Sequence, residues 1–137
     1  MKSASALNRL LAPAIIASAL LLSLGYWWLD NLPHEIFGSL AILALGWHLY
    51  THRRWFATVF KGSYGAKRRV SVALHALLAA NMLVLIGTSV AISQSVFAFL
   101  PFPDLFLLRD VHWFSAYWVI LFAGIHLGLH WGRVMAM

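Results

Sequence analysis

The chain alternates between long apolar runs and short polar breaks. After a polar lead with Lys2 and Arg9, residues 10–29 are apolar for 20 positions. That is enough for about 30 Å of helix, the thickness of a bilayer core. Pro13 falls in the first turn of this run, where its missing N–H does little harm. The run closes on Tyr26, Trp27 and Trp28, an aromatic end suited to a membrane interface. A basic start before an apolar run also fits a signal peptide. The length, the aromatic close and the runs that follow favour a retained helix. Asp30, Asn31, Leu32 and Pro33 read as a tight turn with helix-starting character. A second run covers residues 34–55. Residues 56–70 carry Lys61, Gly62, Gly65, Lys67, Arg68 and Arg69, and read as a short interfacial segment followed by a basic cluster. The third run, residues 71–99, has no formal charge. Pro101 and Pro103 then break the helix twice. Arg109 and Asp110 precede the fourth run, residues 111–134. The pattern predicts an all-α protein, an integral membrane four-helix bundle forming a single domain over residues 1–137.

Composition agrees. The chain is 62% hydrophobic and only 10% charged, with a mean hydropathy of +0.80. Soluble domains carry roughly a quarter charged residues, so this is the composition of a membrane chain. The formal charge of +6 does not point to nucleic acid, because the basic residues flank apolar runs instead of forming a separate patch. On a four-span topology, Lys2, Arg9, Arg53, Arg54, Lys61, Lys67, Arg68, Arg69 and Arg133 share one side. Asp30, Glu35, Asp104 and Asp110 lie on the other. The positive-inside rule then places both termini in the cytoplasm and makes the second and fourth spans parallel.

Those two spans carry the same pattern. His34, Gly46, His48 and His52 repeat, at identical spacing, as His112, Gly124, His126 and His130. Six of the seven histidines fall on this doubled register, which is hard to assign to chance. In a helix, positions 14 apart share a face and lie about 21 Å apart along the axis. His34 and His112 are expected near the outer surface, and His48 and His126 deeper towards the inner side. A lone histidine in an apolar helix is more often a satisfied packing residue than a ligand. A repeated pair of ionisable side chains within hydrocarbon is a functional signal.

Haem fits this pattern better than other metals. No cysteine is present, which removes disulfides, thiolate ligation, iron–sulfur clusters and covalent haem attachment. No carboxylate shares the buried positions, and tetrahedral zinc needs more donors than one histidine pair supplies. Haem needs only its two axial positions filled by the protein. The expectation is two b-type haems, ligated by the pairs His34–His112 and His48–His126. Such ligation leaves no open iron position and argues against oxygen activation. Gly46 and Gly124 would clear space for a flat macrocycle, or serve helix packing. His52 and His130 read either as interfacial polar residues, as contacts to a haem propionate or quinone headgroup, or as alternative inner ligands. His75 lies at a similar depth and is a further partner near the inner haem. Arg53, Arg54, Arg69 and Arg133 are explained by topology, whereas Arg109, three residues before His112, suits a propionate. The tryptophans at 47, 113, 118 and 131 read as lipid-facing and packing residues.

These features carry a family resemblance. His34 with Glu35, His48, Trp55, the Phe60, Lys61, Gly62 turn, Phe99 to Pro101, and Leu127 to Trp131 after Ser115 to Trp118 together resemble the flavinylation-associated cytochromes. These small four-helix membrane domains are similar to the cytochrome b subunits of formate dehydrogenase and hydrogenase. The resemblance runs from about residue 26 to 132. It implies b-type haem in the cytoplasmic membrane of a bacterium or archaeon. It also implies electron transfer between a quinone pool or inner-side donor and an extracytoplasmic partner, such as a flavoprotein. His34, His48, His112, His126 and His130 match the family's motif histidines. The chain departs from the pattern at His52, where the family pattern has Asn, so the inner ligand stays open. It also lacks the first-span histidine of the formate dehydrogenase type. Two rival readings remain: a haem-bearing anchor for a dehydrogenase or reductase subunit, and a structural or metal-handling bundle without haem.

Overall fold

The computed structural model describes residues 2–59, 61–62, 65–103 and 105–135, with the side chains of residues 2–10, Ala12 and Arg133 outside that description. Phe60 and Asp104, and the side chains of Lys2, Arg9 and Arg133, which entered the charge count and the family likeness, therefore lie outside the described residues. The described residues are helical or irregular and contain no strand. Six helices follow in order: α1 (Lys2–Ser23), α2 (Tyr26–Leu29), α3 (Asn31–Thr51), α4 (Arg54–Thr58), α5 (Ala66–Ile92) and α6 (Phe106–Met135).

Helix boundaries differ from the apolar runs for identifiable reasons. α1 starts well before residue 10, so Pro13 sits in its interior and removes one helical hydrogen bond instead of occupying the first turn. The first run does not continue to residue 29. It turns at Leu24 and Gly25, where Gly25 N–H bonds the Leu22 carbonyl at 3.0 Å. A Cβ at Gly25 would lie 3.1 Å from that carbonyl oxygen and 3.2 Å from Leu29 Cδ1, so a larger residue would crowd this turn. The expected turn at residues 30–33 contracts to one residue. Asp30 adopts φ 66° and caps α3, its carboxylate accepting from Asn31 N–H at 2.8 Å. Pro33 then sits in the first turn of α3.

α3 ends at Thr51 rather than near residue 55. Thr51 Oγ1 and His52 Nδ1 both donate to the His48 carbonyl, at 2.9 and 3.0 Å, and the Arg53 guanidinium donates to the Tyr50 carbonyl at 3.0 Å. These side chains satisfy carbonyls that another helical turn would have used. α5 ends at Ile92, seven residues before the end of the apolar run, as Ser93 turns extended. Beyond it, the N–H groups of Gln94, Ser95 and Val96 donate to the Glu35 carboxylate at 2.8, 3.2 and 2.6 Å. α6 begins at Phe106, just past the Pro101–Pro103 break.

The chain forms two compact units. The first is Met1–Phe60 with Gln94–Val96, in which α1 and α3 form a hairpin through α2. Its seam is made of small residues, with Ala19, Ala41 and Ala44 buried. Small side chains let helix backbones approach closely. The second unit is Lys61–Ser93 with Phe97–Met137, in which α5 packs on α6. Cross-links fix an antiparallel register. Thr88 meets His112, Asn81 Nδ2 donates to the Ser115 carbonyl at 2.9 Å, and His75 meets His126. Leu74, Met82, Leu85, Ser115 and Val119 are buried along this register.

Among the described residues, two helices are long and apolar enough to cross a membrane, Ala66–Ile92 and Phe106–Gly132. Both keep large apolar side chains outside, among them Leu77, Leu83, Phe114 and Leu121. In α1 the apolar stretch is shorter, Pro13–Ser23. α3 is interrupted by His34, Glu35 and His48.

Candidate functional site

Histidine ligands need one ring nitrogen without hydrogen, and the other nitrogen's partner decides which. In the first unit, His34 sits in the second turn of α3, where α1 ends against it. Its Nδ1 lies 2.7 Å from the Ser23 carbonyl. A carbonyl only accepts, so Nδ1 carries the proton and Nε2 has the lone pair. Tyr26 packs edge-on against the same ring at 5.4 Å. One helical turn of spacing brings His48 and His52 together, with ring centroids 4.5 Å apart. His52 Nδ1 donates to the His48 carbonyl, so its Nε2 is again the basic nitrogen.

In the second unit, His112 faces α5 near the start of α6. Its Nδ1 is 3.3 Å from Thr88 Oγ1 and 3.5 Å from Ser89 Oγ. Both hydroxyls spend their protons on α5 carbonyls: Thr88 on Val84 and Leu85 at 2.9 and 3.0 Å, and Ser89 on Leu85 at 2.7 Å. With those protons given to carbonyls, both oxygens can accept from His112 Nδ1, the arrangement that would leave Nε2 as the basic nitrogen.

At the other end of the α5–α6 hairpin, three imidazoles converge. His126 and His130 lie one turn apart on α6, with centroids separated by 4.7 Å. His75 on α5 meets them at 4.8 and 5.5 Å. One potential ligand nitrogen from each lies within 4.8 Å of the others. His75 Nδ1 donates to the Ser71 carbonyl one turn earlier, which leaves its Nε2 as the basic nitrogen.

The sequence-derived candidates therefore divide between the units. His34, Gly46, His48 and His52 belong to the first. His75, Arg109, His112, Gly124, His126 and His130 belong to the second. Within units the structure joins His48 with His52, and His75 with His126 and His130. Gly46 and Gly124 are both exposed, and a Cβ at either would meet no atom within 4 Å. Arg109 is half-buried at the start of α6. Trp47 and Trp131 are exposed, and Trp118 joins Phe114 and Phe122 in a ring column along α6.

Sequence reasoning missed the groups that hold the rings: Ser23, Ser71, Thr88 and Ser89, as well as the loop-binding role of Glu35. Ser71, four residues before His75, was readable from helical spacing. The others depend on which helix faces which.

The donor set fits haem in chemical terms. His34, His52 and His75 each have Nδ1 held as a donor to a carbonyl, the tautomer that offers Nε2 to a metal; His112 Nδ1 faces two hydroxyls; and the two register glycines leave open space beside their helices. No family model, no curated protein and no solved structure matches this chain.

Proposed function

We propose that this chain is a four-helix membrane cytochrome, with α1, α3, α5 and α6 spanning the cytoplasmic membrane and both termini inside. It carries electrons across the bilayer through two b-type haems. His34, His48, His112 and His126 would hold the haem irons through their ring nitrogens. The observation that carries the reading is the doubled histidine register, combined with the state of its leading members. His34 and His112 head the two copies, and each has Nδ1 engaged in a hydrogen bond, to the Ser23 carbonyl and the Thr88 hydroxyl respectively.

The haem supplies the one-electron chemistry. The protein's part is to hold and tune it. The Ser23 carbonyl and the Thr88 hydroxyl orient their imidazoles and raise the basicity of Nε2. Gly46 and Gly124 keep side chains away from the space beside the ligands. The apolar surroundings exclude water, and Arg109 suits a propionate near His112. An extracytoplasmic flavoprotein or a dehydrogenase subunit fits as redox partner, with quinone as a membrane-borne donor or acceptor, in keeping with the resemblance to flavinylation-associated cytochromes.

The test is a reduced-minus-oxidised visible spectrum of the purified chain, with haem counted by pyridine haemochrome. Two low-spin b haems per chain are expected. No haem in protein produced with ample haem supply ends the proposal.

A further inference from the structure

The clustering of His75, His126 and His130 goes beyond the haem reading. A haem takes one protein nitrogen on each side of its plane. Here three imidazoles gather around a single point, which is the demand of a small ion. We propose that in the haem-free chain His75, His126 and His130 form a tri-imidazole site for a first-row divalent cation.

The site has the parts that such a centre needs. His126 and His130 are an i, i+4 pair on one helix face, the spacing by which helices present two imidazoles to one metal. His75 comes from the packed partner helix, so the third donor is fixed by the antiparallel register. The donor atoms lie within 4.8 Å of one another. A tetrahedral ion bound at 2.0–2.1 Å wants its nitrogens about 3.3 Å apart, a closure within reach of side-chain rotation. His75 already has its orienting contact, since its Nδ1–H is given to the Ser71 carbonyl and Nε2 is the basic nitrogen. All three residues are half-buried, and neutral nitrogen donors alone suit zinc, copper or nickel better than magnesium or calcium. The objection that zinc lacks donors counted one histidine pair, and the α5–α6 packing supplies a third.

Because His126 is also a proposed haem ligand, cation and inner haem exclude each other there. The cation site belongs to the chain before haem insertion. It stands or falls separately from the haem reading, because it is measured without haem.

The experiment is a titration of full-length, detergent-solubilised, haem-free chain with zinc(II), alongside the cobalt(II) visible spectrum and X-ray absorption of the zinc-loaded chain. One zinc per chain is expected, with three imidazole donors and a four-coordinate cobalt spectrum. His75→Ala and His130→Ala should each weaken zinc affinity by at least about 10-fold while far-UV circular dichroism stays helical. Unchanged affinity in both variants overturns the site. Should a variant lose its helical signal, the wild-type spectra decide alone. An octahedral cobalt spectrum, or fewer than three imidazoles around zinc, overturns it equally.

Discussion

Asn81 donates its Nδ2 hydrogen to the Ser115 carbonyl at 2.9 Å, a polar tie midway along the α5–α6 hairpin. Ser115 is 1% exposed, so the contact lies against the seam and away from the surface. Interhelical hydrogen bonds of this kind contribute about 0.6 kcal/mol on average and up to about 1.7. Asn81→Ala should therefore lower the stability of the chain in detergent by about 1 kcal/mol, read as a drop in the thermal midpoint. The cost should fall on α5–α6 packing, with hydrogen exchange rising in those helices before α1 and α3. Uniform exchange across all four would show that the tie is not local.

The four proposed haem ligands give the most direct test. His34→Ala, His48→Ala, His112→Ala and His126→Ala should each reduce haem content by one per chain, counted by pyridine haemochrome. Full haem content in all four variants is incompatible with the reading. Thr88→Val, which removes the nearer of the two hydroxyls beside His112 Nδ1, should weaken haem retention by about 10-fold without emptying the site.

Gly46 and Gly124 separate helix stability from cofactor space. A Cβ at either meets nothing within 4 Å, and alanine favours helix over glycine by about 1 kcal/mol. Gly124→Ala should raise the thermal midpoint of the haem-free chain. If the macrocycle uses that space, Gly124→Leu should fold as well yet take up less haem. Equal haem uptake by wild type and Gly124→Leu assigns the glycine to packing alone.

Ala19 is 1% exposed in the seam between α1 and α3. Ala19→Leu should cost about 1–3 kcal/mol through overpacking. Ala17, two positions away and exposed, should accept leucine with little change. A thermal melt of the two variants side by side checks this contrast.

The residues themselves explain which features could be read from sequence. Helix content followed from long uncharged runs, and the histidine register from its spacing. The ends of α3 and α5 could not be read from hydropathy, because side-chain bonds to the backbone set them. Thr51, His52 and Arg53 close α3, and Glu35 captures the backbone just beyond α5. His75 was expected at the depth of the inner histidines, and the structure gathers it with His126 and His130; the direct ring contact itself was hidden. It depends on a pairing between residues more than 50 apart, which periodicity within one helix does not encode. The expectation that α1 and α3 span a membrane rests on runs that a proline, histidines and a glutamate interrupt. α5 and α6 are long and apolar enough to cross a membrane.

Glu35 adds a constraint on the order of events at the ribosome. Its carboxylate accepts from Asn31 nearby, but its other donors are Gln94, Ser95 and Val96, some 60 residues later in the chain. At roughly 5–20 residues per second, those N–H groups are synthesised about 3–12 s after Glu35. The α1–α3 hairpin thus first forms with an acid three of whose donors do not yet exist. It can reach its finished form only after α5 has been made, so a helix pair synthesised before α5 is completed after it.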